Sequence, residues 1–240
     1  MKDRTKQGIV LSQRMQMVAD MVSKGNVLAD IGCDHGFVSI YMIENGISPK
    51  VIAMDVNEGP LLRAKEHIEE RELSPYIDVR LSDGMDKLLL GEADSILIAG
   101  MGGRLVIKII SDCMEKAKVL KEIILQPQSE LHLVRQFLNE AGFHILEENM
   151  VKDNGKYYPA MRIRWKTEKQ KVFSEEELWY GPLLLKGKNP VLREYLENEK
   201  AKYTQIADDI KNNGNSIDKA TEDTIQSRQS LIETALTYFK

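Results

Sequence analysis

Asn26-Val27-Leu28-Ala29-Asp30-Ile31-Gly32-Cys33-Asp34-His35-Gly36 reads as a buried strand that ends in a tight glycine loop and opens a helix. The run from Val27 to Ile31 is short, apolar and β-branched at both ends, as a central parallel strand is. Gly32 and Gly36 allow the backbone to turn and to approach a ligand closely, where a Cβ would collide. The rest of the chain then reads as an open α/β sheet built outward from this strand. In such sheets a ligand lies at the carboxyl ends of the strands.

The acidic residues narrow the ligand. A dinucleotide loop sets a pyrophosphate on the helix N-terminus and stays free of negative charge. Here Asp30 precedes the first glycine and Asp34 sits inside the loop. Carboxylates repel a diphosphate and attract a cation, so the pattern points to the sulfonium and amino group of S-adenosylmethionine. The alternative is an ordinary βα turn in which Asp34 caps the next helix. A nicotinamide-linked oxidoreductase is disfavoured by Asp34 and by the lack of a second catalytic domain.

The chain has 240 residues, 42% of them hydrophobic, enough for one mid-sized domain with an appendage. Its two cysteines, Cys33 and Cys113, form no disulfide framework and suggest a reducing compartment. Neither they nor the scattered His35, His67, His132 and His144 show metal-ligand spacing, so no metal is expected. No apolar run reaches signal-peptide or membrane-spanning length, and a cytoplasmic protein with no membrane contact is expected. The net charge of −4 supplies no bulk attraction to nucleic acid, so any RNA contact needs a local basic face.

Outward from the opening stretch, apolar spacing predicts a helix over 12–22 with Ser12 as its cap and Arg14 off the apolar stripe. Further helices are expected over 37–44, 60–71 and 104–116, and strands over 51–55, 77–81, 95–99 and 122–125. Asp55 ends the second strand, where a carboxylate can take the hydroxyls of a ribose. Asp83, before Gly84, is placed to accept from an adenine amine, or is simply a turn residue. Gly100-Met101-Gly102-Gly103 suggests a floor against a flat ligand. Ser129 is expected to cap a helix ended by Gly142. Asp153-Asn154-Gly155 predicts a hairpin of 143–151 with 157–165, completing a seven-stranded mixed sheet. From 175 onward only helices are expected. Leu192, Tyr195, Leu196, Tyr203, Ile206 and Ile210 form one stripe, and Ile217, Ala220, Leu231, Ala235 and Leu236 another. A turn at Asn212-Asn213-Gly214-Asn215 would pair them as a coiled-coil hairpin. The division is thus 1–168 for the sheet domain and 169–240 for the helical one.

Several stretches together carry a family likeness: Leu11-Ser12-Gln13-Arg14-Met15, Ala29 to His35, Glu58-Gly59-Pro60, Ser82-Asp83-Gly84, Ile98 to Gly103 and Leu125-Gln126-Pro127. The chain resembles the bacterial tRNA adenine-N1 methyltransferases of the TrmK type, which modify position 22. The resemblance implies a class I, Rossmann-like S-adenosylmethionine-dependent fold, a C-terminal coiled-coil appendage and tRNA as partner. It implies that Asp30, Gly32, Asp34 and His35 border the methionine end of the cofactor. Asp55 and Val56 would hold the ribose, and Asp83 and Gly84 the adenine. Ala99, Gly100 and Met101 would line the transfer site. Asp55 stands where family members often have Glu.

Adenine N1 has an in-plane lone pair and attacks the sulfonium methyl in line, so no general base is required and catalysis reduces to positioning. The strand tip lacks the Asn/Asp-Pro-Pro-aromatic pattern of amino-methylases, which argues against N6 chemistry. Gln126 is a candidate to bond the target base edge, or a backbone-satisfied amide. Arg14 is a candidate to steer phosphate or base, or a surface salt bridge. A basic hinge of Arg162, Arg164, Lys166, Lys169 and Lys171 would anchor the helical hairpin as a tRNA grip. The leader residues Lys2, Arg4 and Lys6 add positive charge. Rival readings are a methyltransferase for a small molecule or protein and a non-catalytic cofactor- or RNA-binding module. The expected state is a monomer or weak dimer.

Overall fold

The computed structural model describes residues 8–212 and 218–240, so Lys2, Arg4, Lys6, Ile217 and most of the Asn212–Asn215 turn fall outside the described residues. Seven strands form one sheet in the order β3-β2-β1-β4-β5-β7-β6. They are β1 (Leu28–Ile31), β2 (Val51–Asp55), β3 (Ile77–Leu81), β4 (Ser95–Met101), β5 (Glu122–Pro127), β6 (Phe143–Asp153) and β7 (Lys156–Trp165). The first five are parallel, and β7 inserts antiparallel between β5 and β6. β1 and β2 are buried at every position, as strands covered on both faces must be.

One face of the sheet packs under α1 (Gln13–Asp20), α2 (Phe37–Glu44) and α3 (Glu58–Glu70), the other under α4 (Gly103–Asp112), α5 (Met114–Val119) and α6 (Leu131–Glu140). Ser12 caps α1 as expected, accepting from the Met15 amide at 3.3 Å. Pro60 lies in the first turn of α3, where its missing N–H costs no helical bond. The single helix expected over 104–116 is broken at Cys113, which turns its side chain into the core beside Ala117 and Leu120.

Ser129 does not cap α6. The N-cap is Glu130, in a left-handed conformation at φ 53°, while the Ser129 hydroxyl accepts from the Gly103 amide at 3.3 Å. That hydroxyl is taken by the neighbouring loop because the two loops are pressed together: a Cβ on Gly103 would lie 2.5 Å from the Ser129 carbonyl. Gly102 and Gly103 therefore serve loop-to-loop packing. Only Gly100 of the three opens toward a ligand.

The C-terminal region comprises α7 (Glu175–Tyr180), α8 (Pro182–Lys186), α9 (Pro190–Asn212) and α10 (Lys219–Thr237). Leu192, Leu196, Leu231, Ile232 and Ala235 are buried between α9 and α10, while Ala220 of the expected second stripe is exposed. Arg135 on α6 and Glu148 on β6, both essentially inaccessible, pair at 2.9 Å. Arg135 also donates to the carbonyls of Leu178 and Trp179, and Glu148 accepts from the amides of Leu183 and Leu184. One buried ion pair thus fastens α7 and α8 to the sheet domain.

Candidate functional site

A cleft of about 940 Å³ opens at the carboxyl ends of β1 to β4 and reaches α1. Every residue placed by sequence at the methionine, ribose, adenine and transfer positions lines it: Asp30, Gly32, Asp34, His35, Asp55, Val56, Asp83, Gly84, Ala99, Gly100 and Met101. Arg14 lines it too, and Gln126 does not.

The first loop is held in an uncommon backbone path. Gly32 (φ 76°), Asp34 (φ 50°) and Gly36 (φ 73°) all occupy the left-handed region. A Cβ on Gly32 would lie 2.3 Å from the Met101 Cε, the movable end of that side chain, so it is the positive φ more than the space that calls for glycine there. Gly36 is needed for packing instead: its Cβ would meet Ala64 of α3 at 3.1 Å. Gly36, with no side chain, is also the N-cap of α2. Asp34 therefore caps nothing, and its carboxylate is 67% exposed beside the cleft.

Beneath this loop lie two buried carboxylates. Asp30 is 5% exposed and receives one side-chain hydrogen bond, from the Ser39 hydroxyl at 2.7 Å. Burial pushes its carboxyl up to about 6; the Ser39 bond opposes this and the nearby Asp55 charge adds to it. Asp55 accepts from the amides of Asp34 (3.2 Å) and Asn57 (2.9 Å), which ties the β2 tip to the β1 loop. Beside it Val56 is 58% exposed, an apolar shelf next to a carboxylate. Asp83 is exposed, with Lys108 at 3.9 Å. Gly84 (φ 52°) backs onto Ile109, and Leu105 and Ile109 of α4 form the apolar wall opposite.

At the other end of the cleft the chemistry changes. Gln126 is completely buried, and its side-chain oxygen accepts from the Gly100 amide and from the Arg14 guanidinium, both at 3.2 Å. Those two donors fix the amide's orientation, and its Nε2 is left buried without a hydrogen-bond partner. Of the two readings of Gln126, the geometry departs from the base-edge donor and agrees with the amide bonded to backbone: it accepts from Gly100 and holds Arg14 and the Gly100 bulge. Arg14 makes no ion pair with a carboxylate among the described residues. Its amide is anchored by Asp153 at 3.1 Å, and its guanidinium lies 5.4 Å from the Tyr158 ring centroid. Tyr158 and Gln128 were not singled out from sequence, because only the folding of α1 across the β7 and β5 tips brings them to Arg14.

The basic hinge is elsewhere. Because β7 runs against β5, residues 162–166 lie beside the start of β5, at the end of the sheet opposite the cleft. Arg162 is paired with Glu122 and Glu147, and Lys171 with Glu177. No cluster of three or more potential metal ligands occurs among the described residues.

The acidic end of the cleft, its glycine-opened floor and its apolar walls fit a cationic, nucleoside-bearing ligand, and the comparisons agree. A family model described as "Methyltransferase domain" matches residues 11–161. The chain carries such a domain. A tRNA (adenine(22)-N(1))-methyltransferase of Bacillus subtilis (strain 168) is 32% identical over 229 residues, covering 94% of this chain and 92% of that one. Among solved structures, Streptococcus pneumoniae Sp1610 in complex with S-adenosyl-L-methionine superposes with a TM-score of 0.84 at 28% identity, covering 95% of this chain and 100% of that one. M. capricolum TrmK in complex with S-adenosyl-homocysteine gives 0.82 at 25% identity, covering 96% and 99%. This chain belongs to the tRNA (adenine(22)-N(1))-methyltransferase family.

Proposed function

We propose that the protein transfers a methyl group from S-adenosylmethionine to N1 of an adenine in tRNA, at position 22 by kinship. The observation that carries this reading is the polarity of one cleft: four carboxylates at the cofactor end, and at the transfer end a carboxylate-free tip with Arg14 facing it. When bound, the cofactor supplies an electrophilic methyl on a cationic sulfur.

Asp30 and Asp34 would face its positive groups, Asp55 and Val56 its ribose, and Asp83 and Gly84 its adenine. The substrate base brings its own lone pair, so no side chain has to withdraw a proton first. Gly100 and Met101 set the distance between the two reactants and exclude water. Arg14 draws the flipped nucleotide by its phosphate or base. Gln126 is a positioning residue acting through Arg14 and Gly100. The helices of 169–240 are offered as a second tRNA contact. They are supported by the Lys152–Glu194 and Tyr157–Glu194 bonds, which set the start of α9 beside the 153–156 turn that anchors Arg14. Acidic side chains outnumber basic ones from residue 190 on, so this contact works by shape and reach more than by charge. The reading puts the protein with tRNA in the cytoplasm.

The test is to incubate protein, cofactor and unmodified tRNA, then digest and analyse nucleosides by mass spectrometry. N1-methyladenosine that vanishes when adenine 22 is replaced is the expected result. Cofactor binding without any methylated nucleoside would sink the proposed substrate.

A further inference from the structure

At the outer rim of the cleft, the first loop and α3 bring together three rings, of which the cofactor assignment uses His35 alone. Phe37, in the first turn of α2, is 43% exposed and lines the cleft mouth. His67 lies 5.0 Å from it, centroid to centroid, with the planes 19° apart. His35 stacks on Phe37 at 5.7 Å and 12°. The arrangement is locked by polar contacts at its edges. The Nδ1 of His67 is 3.0 Å from the His35 carbonyl, so that nitrogen is the donor and Nε2 is left for another partner. The Nδ1 of His35 accepts from the Arg63 Nε at 3.3 Å. Arg63 is exposed on α3, so a cation stands at the edge of a flat aromatic platform.

A solvent-facing phenylalanine in a near-parallel tier, rimmed by hydrogen-bonding imidazoles and an arginine, has the form of a platform for an unstacked base. RNA is read mainly through bases splayed out of their stacks onto aromatic faces, with a nearby cation on the backbone. Phe37 is poorly explained by the rest of the fold, since it leaves a large apolar surface in water while its neighbour Val38 fills the core. A base that has left its helix to reach the Gly100–Met101 tip leaves its neighbours unstacked as well. We propose that Phe37, with His67 and Arg63, forms a stacking site for a nucleobase of the substrate RNA at the entrance to the cleft. This rests on the function proposed above and adds how the RNA is held.

The experiment measures, on the full chain, the affinity for fluorescently labelled unmodified tRNA and, separately, the affinity for S-adenosylmethionine by calorimetry. The variants are Phe37→Ala, Phe37→Leu and Phe37→Trp, each checked by its melting temperature. Loss of a base stack predicts tRNA binding weaker by roughly 5- to 100-fold in the Ala variant. Leu, which keeps apolar volume without a π face, should lose nearly as much, and Trp should restore binding. Cofactor affinity should stay within about twofold, because no stacking contact to it is lost. A Leu variant that binds tRNA like wild type would overturn the proposal, as would a loss confined to cofactor affinity, which would make Phe37 part of the cofactor wall. If wild-type protein binds no tRNA while still binding cofactor, it is the underlying reading of function that fails.

Discussion

Two buried carboxylates sit at opposite ends of the same sheet and are treated in opposite ways. Glu122, at the start of β5, accepts from the Ser23 amide and hydroxyl, from the Ser95 hydroxyl and from Arg162. Burial works against its charge, but these donors outweigh burial and hold the carboxyl below its usual range. Asp30, at the end of β1, has one hydroxyl and a neighbouring carboxylate, and its pKa is pushed up to about 6. The arginines repeat the contrast. Arg162 is matched by two carboxylates, whereas Arg14 rests on an amide oxygen and an aromatic face. Charges that serve the fold are matched within the chain. Asp30 and Arg14, at the strand tips, have no opposite charge paired with them, which is what a site that receives a cation at one end and a nucleotide at the other requires.

The largest effect should come from breaking the matched set. Glu122→Ala leaves the Ser23 and Ser95 donors without their acceptor in a closed region and deprives Arg162 of one partner, while Asn26 keeps the Ser95 hydroxyl. The expected loss is about 3 kcal/mol of folding stability, by analogy with other buried polar networks cut on one side. Denaturant titration measures it. Cofactor affinity of the folded fraction should be unchanged, and a variant that kept full stability but lost cofactor would erase the distinction drawn between the two ends.

The unmatched arginine should behave in the reverse manner. Arg14→Ala removes a half-buried cation whose only side-chain hydrogen-bond acceptor among the described residues is the Gln126 amide, so little stability is at stake. Charge-assisted contacts to substrate are worth about 1.5–3 kcal/mol, which predicts roughly a 10- to 100-fold drop in kcat/KM for tRNA. S-adenosylmethionine affinity should hold. Unaltered turnover would mean that Arg14 is only a lid over Gln126.

How far these distinctions can be read without a structure depends on where each partner comes from. The sheet is legible because its strands are local apolar runs whose turns and caps lie next to them. Asp30, Asp34, Asp55 and Asp83 are legible as a set because parallel strands put their carboxyl ends on one edge. The arrangement around Gln126 is not. Its direction is set by the alternation of β5 with Leu125 facing the other core, and its partners come from residues 14 and 100. The same holds for Gly103, whose need for a missing Cβ is created by Ser129 across two helices' loops. For the basic hinge, clustering in sequence does not tell which members are paired: β5 and β6 bring Glu122 and Glu147 against Arg162, and Glu177 meets Lys171, while Arg164, Lys166 and Lys169 are exposed.

The finest test of the contrast is the pH response of Asp30. Its folded pKa of about 6 lies above the ordinary aspartate value of 3.8, so between those pH values the folded protein holds a proton that the unfolded chain has released. Folding stability contributed by this group is therefore lost as pH rises through that window, by about 2–3 kcal/mol in total for a fully buried carboxyl. Asp30→Asn keeps an acceptor for Ser39 and carries no charge, so the ligand-free variant should be more stable than wild type at pH 7–8 and equal to it near pH 4. Ligand binding should show the opposite dependence. A cation favours the ionised carboxylate, so wild-type affinity should weaken as pH falls below about 6, by at most about tenfold per unit, while the Asn variant binds weakly and without that slope. Calorimetry of S-adenosylmethionine binding from pH 5 to 8 measures both curves. Parallel curves for the two proteins would show that Asp30 is merely an ill-satisfied core residue, like a Glu122 short of donors, and not a charge held ready for a ligand.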